Sequence, residues 1–73
     1  SAVEDNEYIV KLININTAGS DELIKLDGIG ESLADRIIEY RKENGNFSSI
    51  EEIMNVSGIG EKKFKAIKSY ITV

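Results

Sequence analysis

The chain repeats itself with a period of thirty residues, and this repeat limits the folds it can adopt. The segment LDGIGE at 26–31 recurs as VSGIGE at 56–61. Other matching positions are Glu22-Leu23-Ile24 with Glu52-Ile53-Met54, Ile37 with Ile67, and Tyr40 with Tyr70. In each copy a short helical pattern precedes the glycine turn and a longer one follows it. Because neither copy could bury its apolar face alone, we predict an all-α domain whose two copies pack as a pseudo-twofold four-helix unit.

Each copy contains a Gly-Ile-Gly turn that runs directly into a helix start. The first N–H groups of a helix have no intrahelical partner and lie at the positive end of the helix dipole. Glycine adds no Cβ that would keep a bulky ligand away from this backbone. Phosphate is the natural ligand of such a site. A simple chain reversal without a ligand is the alternative for one turn, but two turns in a matching frame favour an anion site.

Apolar periodicity and turn residues set the expected helix bounds. Helices are predicted over about 21–26, about 30–44, a short segment through 53 and 54, and about 60–72. Gly45 suits the position just past the second helix. Phe47 is expected to fill the core from the connecting loop. Tyr40 and Tyr70 are also expected in the core, because stacking on bases is mainly a property of single-strand binders.

The segment before the first helix has no regular pattern. Residues 1–10 are predicted to be a disordered leader or a cloning remnant, and 11–73 the domain, with units at about 16–44 and 47–72. Ile13 and Ile15 are expected to form an extended lead-in on the core, with a strand as the alternative. No partner strand is evident.

Several polar residues have the pattern of helix caps. Asn14, Asn16, Thr17 and Ser20 precede the first helix and are read as turn and cap residues. Ser48 and Ser49 each have a glutamate three residues later, Glu51 and Glu52, so that either pair could close a capping box.

Composition excludes several kinds of site. The chain has 73 residues, no cysteine and no histidine, which removes disulfides, thiolate metal sites and the commonest general base. No set of carboxylates converges in the sequence, so we do not expect an enzyme or a cofactor. The net charge is −4, yet Lys62, Lys63, Lys65 and Lys68 follow the second glycine turn. Each of these lysines could contact a ligand or simply be solvated.

The paired turns resemble the tandem helix-hairpin-helix domain, (HhH)2, which has a SAM-like fold. The pattern apolar-x-Gly-apolar-Gly of that family is present at 26–30 and at 56–60. Three further segments, NINTA at 14–18, IEYR at 38–41 and NGNF at 44–47, make the chain similar to the ComEA group of competence proteins. The resemblance covers nearly everything after residue 11.

This resemblance implies binding of double-stranded DNA through its phosphates, without base readout. The residues it implicates are Gly28, Ile29, Gly30 and Ser32 in the first hairpin, and Gly58, Ile59, Gly60, Lys62 and Lys63 in the second. ComEA-type receptors act outside the cytoplasmic membrane and deliver DNA to the uptake machinery of natural transformation. Membrane attachment would come from segments not present in this chain. Related hairpins are accessory modules of repair enzymes.

In the wider family a hairpin can hold a monovalent cation through backbone carbonyls. Carried onto the second unit, these carbonyls belong to Met54, Val56 and Ile59. We leave this cation open and assign no metal.

Two departures from the family pattern affect the expected site. The chain has no proline, and Asp27 and Ser57 stand where the family often has one. Asp27 and Glu31 also place two carboxylates at the first hairpin, where they would repel phosphate. We therefore expect the second hairpin, with Lys62 and Lys63, to be the principal contact. A protein-interaction or oligomerisation module is the rival function, and the acidic balance suits it.

Overall fold

A computed structural model describes residues 11–73. Its elements are β1 (Ile13–Asn14), α1 (Ser20–Leu23), α2 (Glu31–Asn44), a first 3-10 helix (Ile50–Asn55), α3 (Glu61–Ile67), a second 3-10 helix (Lys68–Tyr70) and β2 (Ile71–Thr72). The predicted all-α class is confirmed, with a short helix, a glycine turn and a longer helix in each unit. The predicted leader, 1–10, lies outside the described residues. Within 11–73 no helix has the length and apolar run needed to cross a membrane.

The core is built from repeat-related pairs of side chains. Five positions are buried in both units: Leu23 with Ile53, Leu26 with Val56, Ile29 with Ile59, Ala34 with Phe64, and Ile37 with Ile67. Ile15, Ala18, Phe47 and Ile71 complete this cluster from outside the repeat. No polar or charged side chain of the described residues is buried among them. The two apolar faces thus cover each other, as the repeat predicts.

The short helices differ in detail from the expected ones. The helix predicted over about 21–26 closes its regular turns at Leu23, and the chain continues through turns to Gly28. The short third helix is a 3-10 helix. Both segments are too short to be stable alone and depend on the buried Leu23 and Ile53.

The prediction for the last helix was wrong, and the lead-in forms the strand that the sequence left as the alternative. The last helix does not continue to Thr72, because α3 ends at Ile67 and the chain passes through one 3-10 turn into β2. β2 pairs in parallel with β1, with Ile13 opposite Ile71, and the Ile15 N–H donates to Thr72 O at 2.9 Å. The lead-in therefore has a partner strand, which lies in a segment predicted to be helical.

The two repeat-related tyrosines have different environments. Tyr40 is half-buried, and its ring stacks on Phe47 with centroids 5.3 Å apart and planes 10° apart. Phe47 is 2% exposed, which confirms its predicted place in the core. Tyr70, by contrast, is 49% exposed, so its predicted place in the core was wrong.

Asn16 connects the lead-in to the loop between the units. Its Oδ1 accepts the Phe47 N–H at 2.7 Å, and its Nδ2 donates to Phe47 O at 3.0 Å. Asn14 Oδ1 accepts the Asn16 N–H at 2.8 Å. Gly19 is the N-cap of α1, and no side chain caps it. The turn role predicted for the asparagines is confirmed, but their cap role at α1 was wrong, because their amides form a turn ahead of it and hold Phe47.

The loop serines do not form a reciprocal capping box. Ser49 is the N-cap of the first 3-10 helix but makes no side-chain cap bond. The Glu52 carboxylate accepts the N–H of Ser48, four residues earlier, at 2.9 Å, whereas the glutamate of a capping box would accept the N–H of the N-cap Ser49.

Candidate nucleic-acid interface

The two glycine turns have almost the same backbone conformation. Gly28 and Gly58 have φ of 81° and 96°, a region that side chains with a Cβ rarely adopt. Gly30 and Gly60 are extended, with φ of −97° and −99°, and are the N-caps of α2 and α3. The hairpin turn is therefore made without the proline that the family often carries.

The isoleucine between the glycines fixes each turn to the core. Ile29 and Ile59 are 3% and 2% exposed. The Ile29 N–H donates to Leu26 O at 3.1 Å, and the Ile59 N–H donates to Val56 O at 3.0 Å. The N–H groups of both isoleucines are thus used inside the hairpins, and both side chains lie in the core.

Each hairpin leaves a group of N–H donors at the helix start. Helical bonding begins when the Ala34 N–H donates to Gly30 O at 2.9 Å and the Phe64 N–H donates to Gly60 O at 3.0 Å. In the described part of the chain, the four preceding N–H groups of each hairpin meet no protein acceptor; they belong to Gly30, Glu31, Ser32 and Leu33, and to Gly60, Glu61, Lys62 and Lys63. Gly30 and Gly60 are exposed, and a Cβ on either would meet nothing within 4 Å. An anion can therefore approach both groups of donors.

Each hairpin lies against the long helix of the other unit. A Cβ placed on Gly28 would lie 3.9 Å from Lys63 Cγ. A Cβ placed on Gly58 would lie 2.8 Å from Leu33 Cδ2 and 2.9 Å from Arg36 Nη1. Leu33 and Lys63 are repeat-related. On both sides of the pseudo-twofold axis, therefore, a side chain from the long helix of one unit lies beside the hairpin glycine of the other; we call this the exchange of side chains between units.

This exchange redistributes the charges around the hairpins. Lys63 follows the second hairpin in sequence, but its half-buried stem lies beside Gly28 in the first. The first hairpin, with Asp27 and Glu31, thus has a lysine supplied by the other unit. Lys62 is exposed in the first turn of α3, next to the second hairpin.

Arg36 is a residue of this surface that the sequence did not single out. Its Nη1 donates to Ser57 O at 3.2 Å and lies close enough to Gly58 to exclude a Cβ. Arg36 and Arg41 both donate to backbone carbonyls. Arg41 Nη1 donates to Ile15 O at 2.9 Å. No local pattern indicates these contacts, because each joins residues more than twenty positions apart.

The carbonyls considered for a monovalent cation lie at the second hairpin. Val56 O already accepts the Ile59 N–H at 3.0 Å, which leaves it one lone pair for an ion. Backbone carbonyl oxygens are donors that suit such a cation. Among the described residues, no group of three or more acidic side chains is arranged to hold a metal.

Comparison with known proteins agrees with this geometry. A model of the helix-hairpin-helix motif matches residues 10–72. The chain belongs to the helix-hairpin-helix family. ComE operon protein 1 of Bacillus subtilis (strain 168) is 60% identical over 62 residues, which cover 85% of this chain and 30% of that protein. The resemblance to the ComEA group is thereby confirmed.

Other relatives carry the same motif within different proteins. Endonuclease/exonuclease/phosphatase family domain-containing protein 1 is 44% identical in Danio rerio and 41% identical in Homo sapiens, over 61 residues in each case. These matches cover 84% of this chain but 11% of those proteins. The helix-hairpin-helix domain thus spans less than a third of the length of each of these relatives.

Proposed function

We propose that this helix-hairpin-helix domain binds double-stranded DNA through its phosphates, without reading base sequence. The observation that carries the proposal is the pair of matched hairpins, each with N–H donors that meet no acceptor within residues 11–73. Two such groups, related by the pseudo-twofold axis, suit the two strands of a duplex. Contacts of this kind position a protein on DNA but carry no sequence information.

The residues have distinct roles in this proposal. The backbone N–H groups of Gly30 and Ser32 would hold one phosphate, and those of Gly60 and Lys62 would hold another. Gly28 and Gly58 make the turns, while Ile29 and Ile59 anchor them in the core. Lys62 adds a charge-assisted contact at the second hairpin, and Lys63 adds one at the first.

The exchange of Lys63 makes the two hairpins less unequal than the sequence indicates. Asp27 and Glu31 repel a phosphate at the first hairpin, but Lys63 offsets part of this repulsion. At the second hairpin Arg36 adds positive charge next to Gly58, although its Nη1 is already bonded to Ser57 O. The second hairpin remains the stronger contact in this proposal.

The biological role follows from the ComEA resemblance. We propose a receptor domain that captures DNA outside the cytoplasmic membrane and passes it to uptake proteins in natural transformation. A repair accessory module is the alternative role for the same DNA-binding surface. We propose a binding module and not an enzyme, since the relatives named for an endonuclease/exonuclease/phosphatase family match only over their helix-hairpin-helix segment.

The proposal predicts weak, salt-dependent binding. Phosphate-only contacts give dissociation constants on the order of micromolar or weaker at physiological salt, and the affinity falls as salt rises. Fluorescence anisotropy with a labelled duplex, repeated across salt concentrations and with two unrelated sequences, measures both properties. If no duplex binding occurred at low salt, the domain would be a protein-interaction module instead.

The hairpin mechanism has a sharper test at Gly60. Gly60→Asp places a carboxylate where the phosphate would lie, while an N-cap aspartate favours the helix. Gly60→Asn has nearly the same shape and no charge. We expect both variants to fold, and duplex binding to be at least about fivefold weaker for Gly60→Asp than for Gly60→Asn, from about 1 kcal/mol or more of repulsion at ~4 Å. The same pair at Gly30 would rank the two hairpins.

A further inference from the structure

The pseudo-twofold axis relates two surface clefts, one in front of each short-helix turn. The first has a volume of about 430 Å³ and the second about 280 Å³. Five lining residues of one cleft correspond to five of the other through the thirty-residue repeat. The pairs are Lys25 with Asn55, Leu26 with Val56, Asp27 with Ser57, Ala66 with Arg36, and Tyr70 with Tyr40. The two clefts are therefore copies of one site that have diverged.

The second cleft is filled by bonds within the protein. Arg36 crosses it to donate to Ser57 O at 3.2 Å. The Tyr40 ring stacks on Phe47, and its hydroxyl accepts a bond from Asn55 Nδ2 at 3.3 Å. Arg36, Tyr40 and Asn55 are thus engaged within the protein, while Glu39 and Glu43 add negative charge to the lining.

The first cleft lacks the residues that fill the second. Ala66 replaces Arg36, and its methyl group can neither cross the cleft nor donate a hydrogen bond. Thr17 stands at the position that corresponds to Phe47, so Tyr70 has no repeat-derived aromatic partner. Tyr70 is 49% exposed at the edge of a larger cleft. Tyr70 therefore lacks the arginine and phenylalanine neighbours that its counterpart Tyr40 has.

The lining of the first cleft suits a ligand that is both aromatic and anionic. Leu26 and Ile13 give an apolar floor, and Tyr70 gives an aromatic wall. Among the lining residues that the structure describes, Lys11 and Lys25 are exposed at the rim and Asp27 is the single acid, so that positive charge predominates there. A nucleotide combines a flat base with a phosphate and matches both parts of this surface.

We propose that the first cleft binds a nucleotide, with the base on Tyr70 and the phosphate between Lys11 and Lys25. An unpaired nucleotide of a DNA strand and a free mononucleotide share this chemistry. The proposal builds on the proposed DNA-binding function, because the cleft includes Asp27 at the start of the first hairpin. It adds a site for unpaired bases, which a duplex bound only through its phosphates would not present.

Filling the cleft separates this proposal from simple charge attraction. Ala66→Arg recreates the arrangement of the second cleft and also adds a positive charge, whereas Ser69→Arg adds the same charge outside the lining. The probes are labelled five-residue oligothymidylate, thymidine monophosphate as competitor, and a labelled duplex. We expect Ala66→Arg to weaken oligothymidylate binding at least about fivefold, while Ser69→Arg leaves or strengthens it. If both variants strengthened binding alike, charge alone would explain it and the cleft proposal would fail.

Substitutions of the wall and rim give a second measurement. Tyr70→Leu should weaken oligothymidylate binding at least about fivefold, as expected for the loss of one stacked base, and Tyr70→Phe should not. Lys25→Gln should weaken it as well, with Lys42→Gln, outside the cleft, as its control. Competition by thymidine monophosphate would extend the site to free nucleotides, while binding of the oligonucleotide alone would restrict it to strands.

The duplex probe distinguishes failure of the two proposals. Duplex binding that persists while oligothymidylate binding is absent, or is indifferent to Tyr70→Leu and Ala66→Arg, overturns the cleft proposal only. Absence of duplex binding, with cleft-dependent oligothymidylate binding retained, overturns the proposed duplex function only. Amide resonances of Ala66 and Tyr70 should shift on adding the oligonucleotide, and those of Gly58 and Gly60 on adding the duplex.

Discussion

The contact between Arg36 and the second hairpin makes the stability of the domain unequally sensitive to its two turn glycines. Gly28→Ala and Gly58→Ala both force a Cβ into a positive-φ conformation, at a cost of about 1–2 kcal/mol. Both also remove a flexible glycine from the unfolded chain, and this effect cancels between them. At Gly28 the new methyl group has ordinary contact with Lys63 Cγ at 3.9 Å.

At Gly58 the new methyl group meets Leu33 Cδ2 at 2.8 Å and Arg36 Nη1 at 2.9 Å. Both atoms are the ends of flexible side chains and can move aside. Moving Arg36 breaks its 3.2 Å hydrogen bond to Ser57 O, which is worth about 0.5–1.5 kcal/mol. We therefore expect Gly58→Ala to cost about 1 kcal/mol more than Gly28→Ala. In a domain of this size that difference corresponds to about 4–8 °C in Tm.

Urea unfolding followed by circular dichroism measures this difference, and a double-mutant cycle identifies its origin. Arg36→Ala removes the side chain that Gly58→Ala displaces, so the two costs should not add. We expect a coupling of about 0.5–1 kcal/mol between the two substitutions, and none between Arg36→Ala and Gly28→Ala. Equal costs for the two glycine substitutions, or strict additivity in the Arg36 cycle, would refute the reasoning.

Three further perturbations test other parts of the structure. Asn16→Ala should lower the free energy of unfolding by about 2–4 kcal/mol in urea titrations, because it removes both partners of the Phe47 backbone, and an unchanged midpoint would contradict the bonding described. Ile71→Ala should lower the free energy of unfolding by about 2–4 kcal/mol in the same assay, since Ile71 is 3% exposed in the core. A near-zero effect would show that β2 does not pack in the core. Lys63→Gln should weaken duplex binding in anisotropy titrations and lower the slope of log affinity against log salt by about 1, whereas Lys68→Gln should do neither.

The repeat was sufficient to predict the centre of the domain. Glycine is required where φ is positive, and apolar residues in a matching frame must cover each other. The turns at Gly28 and Gly58 and the pairing of Ile37 with Ile67 in the core could therefore be inferred from residue order alone. These features depend on local conformation and on periodicity, which a single sequence records directly.

The wrong predictions concern residues whose conformation or contacts depend on a partner that is distant in the sequence. The segment after Ile67 continues a helical pattern, and only the presence of β1 makes a strand of it. Tyr70 matches Tyr40 in the repeat, but the ring that supports Tyr40 is Phe47, which the repeat does not copy. Asn16 is a residue type typical of helix caps, but its side-chain amide binds the backbone of Phe47, 31 residues away.

The sequence predicts the two hairpins of the candidate site, but not which side chains lie beside each hairpin. Sequence proximity assigned Lys63 to the second hairpin, whereas packing of the two units brings its stem to the first. The contact of Arg36 could not be predicted, because its acceptor, Ser57 O, lies in the other unit. Side chains that cross between units are set by how the units pack, and that information is not local.

The short parallel pair of β1 and β2 has a mechanical consequence. Ile13 and Ile71 lie side by side and their strands point the same way, so the chain enters at one end of the pair and leaves at the other. A pulling force applied through residues 11 and 73 would slide the strands past each other and load their hydrogen bonds together, including the bond from Ile15 N–H to Thr72 O. Tension along a longer chain would thus load the pair of β1 and β2 in shear before it loaded the hairpins.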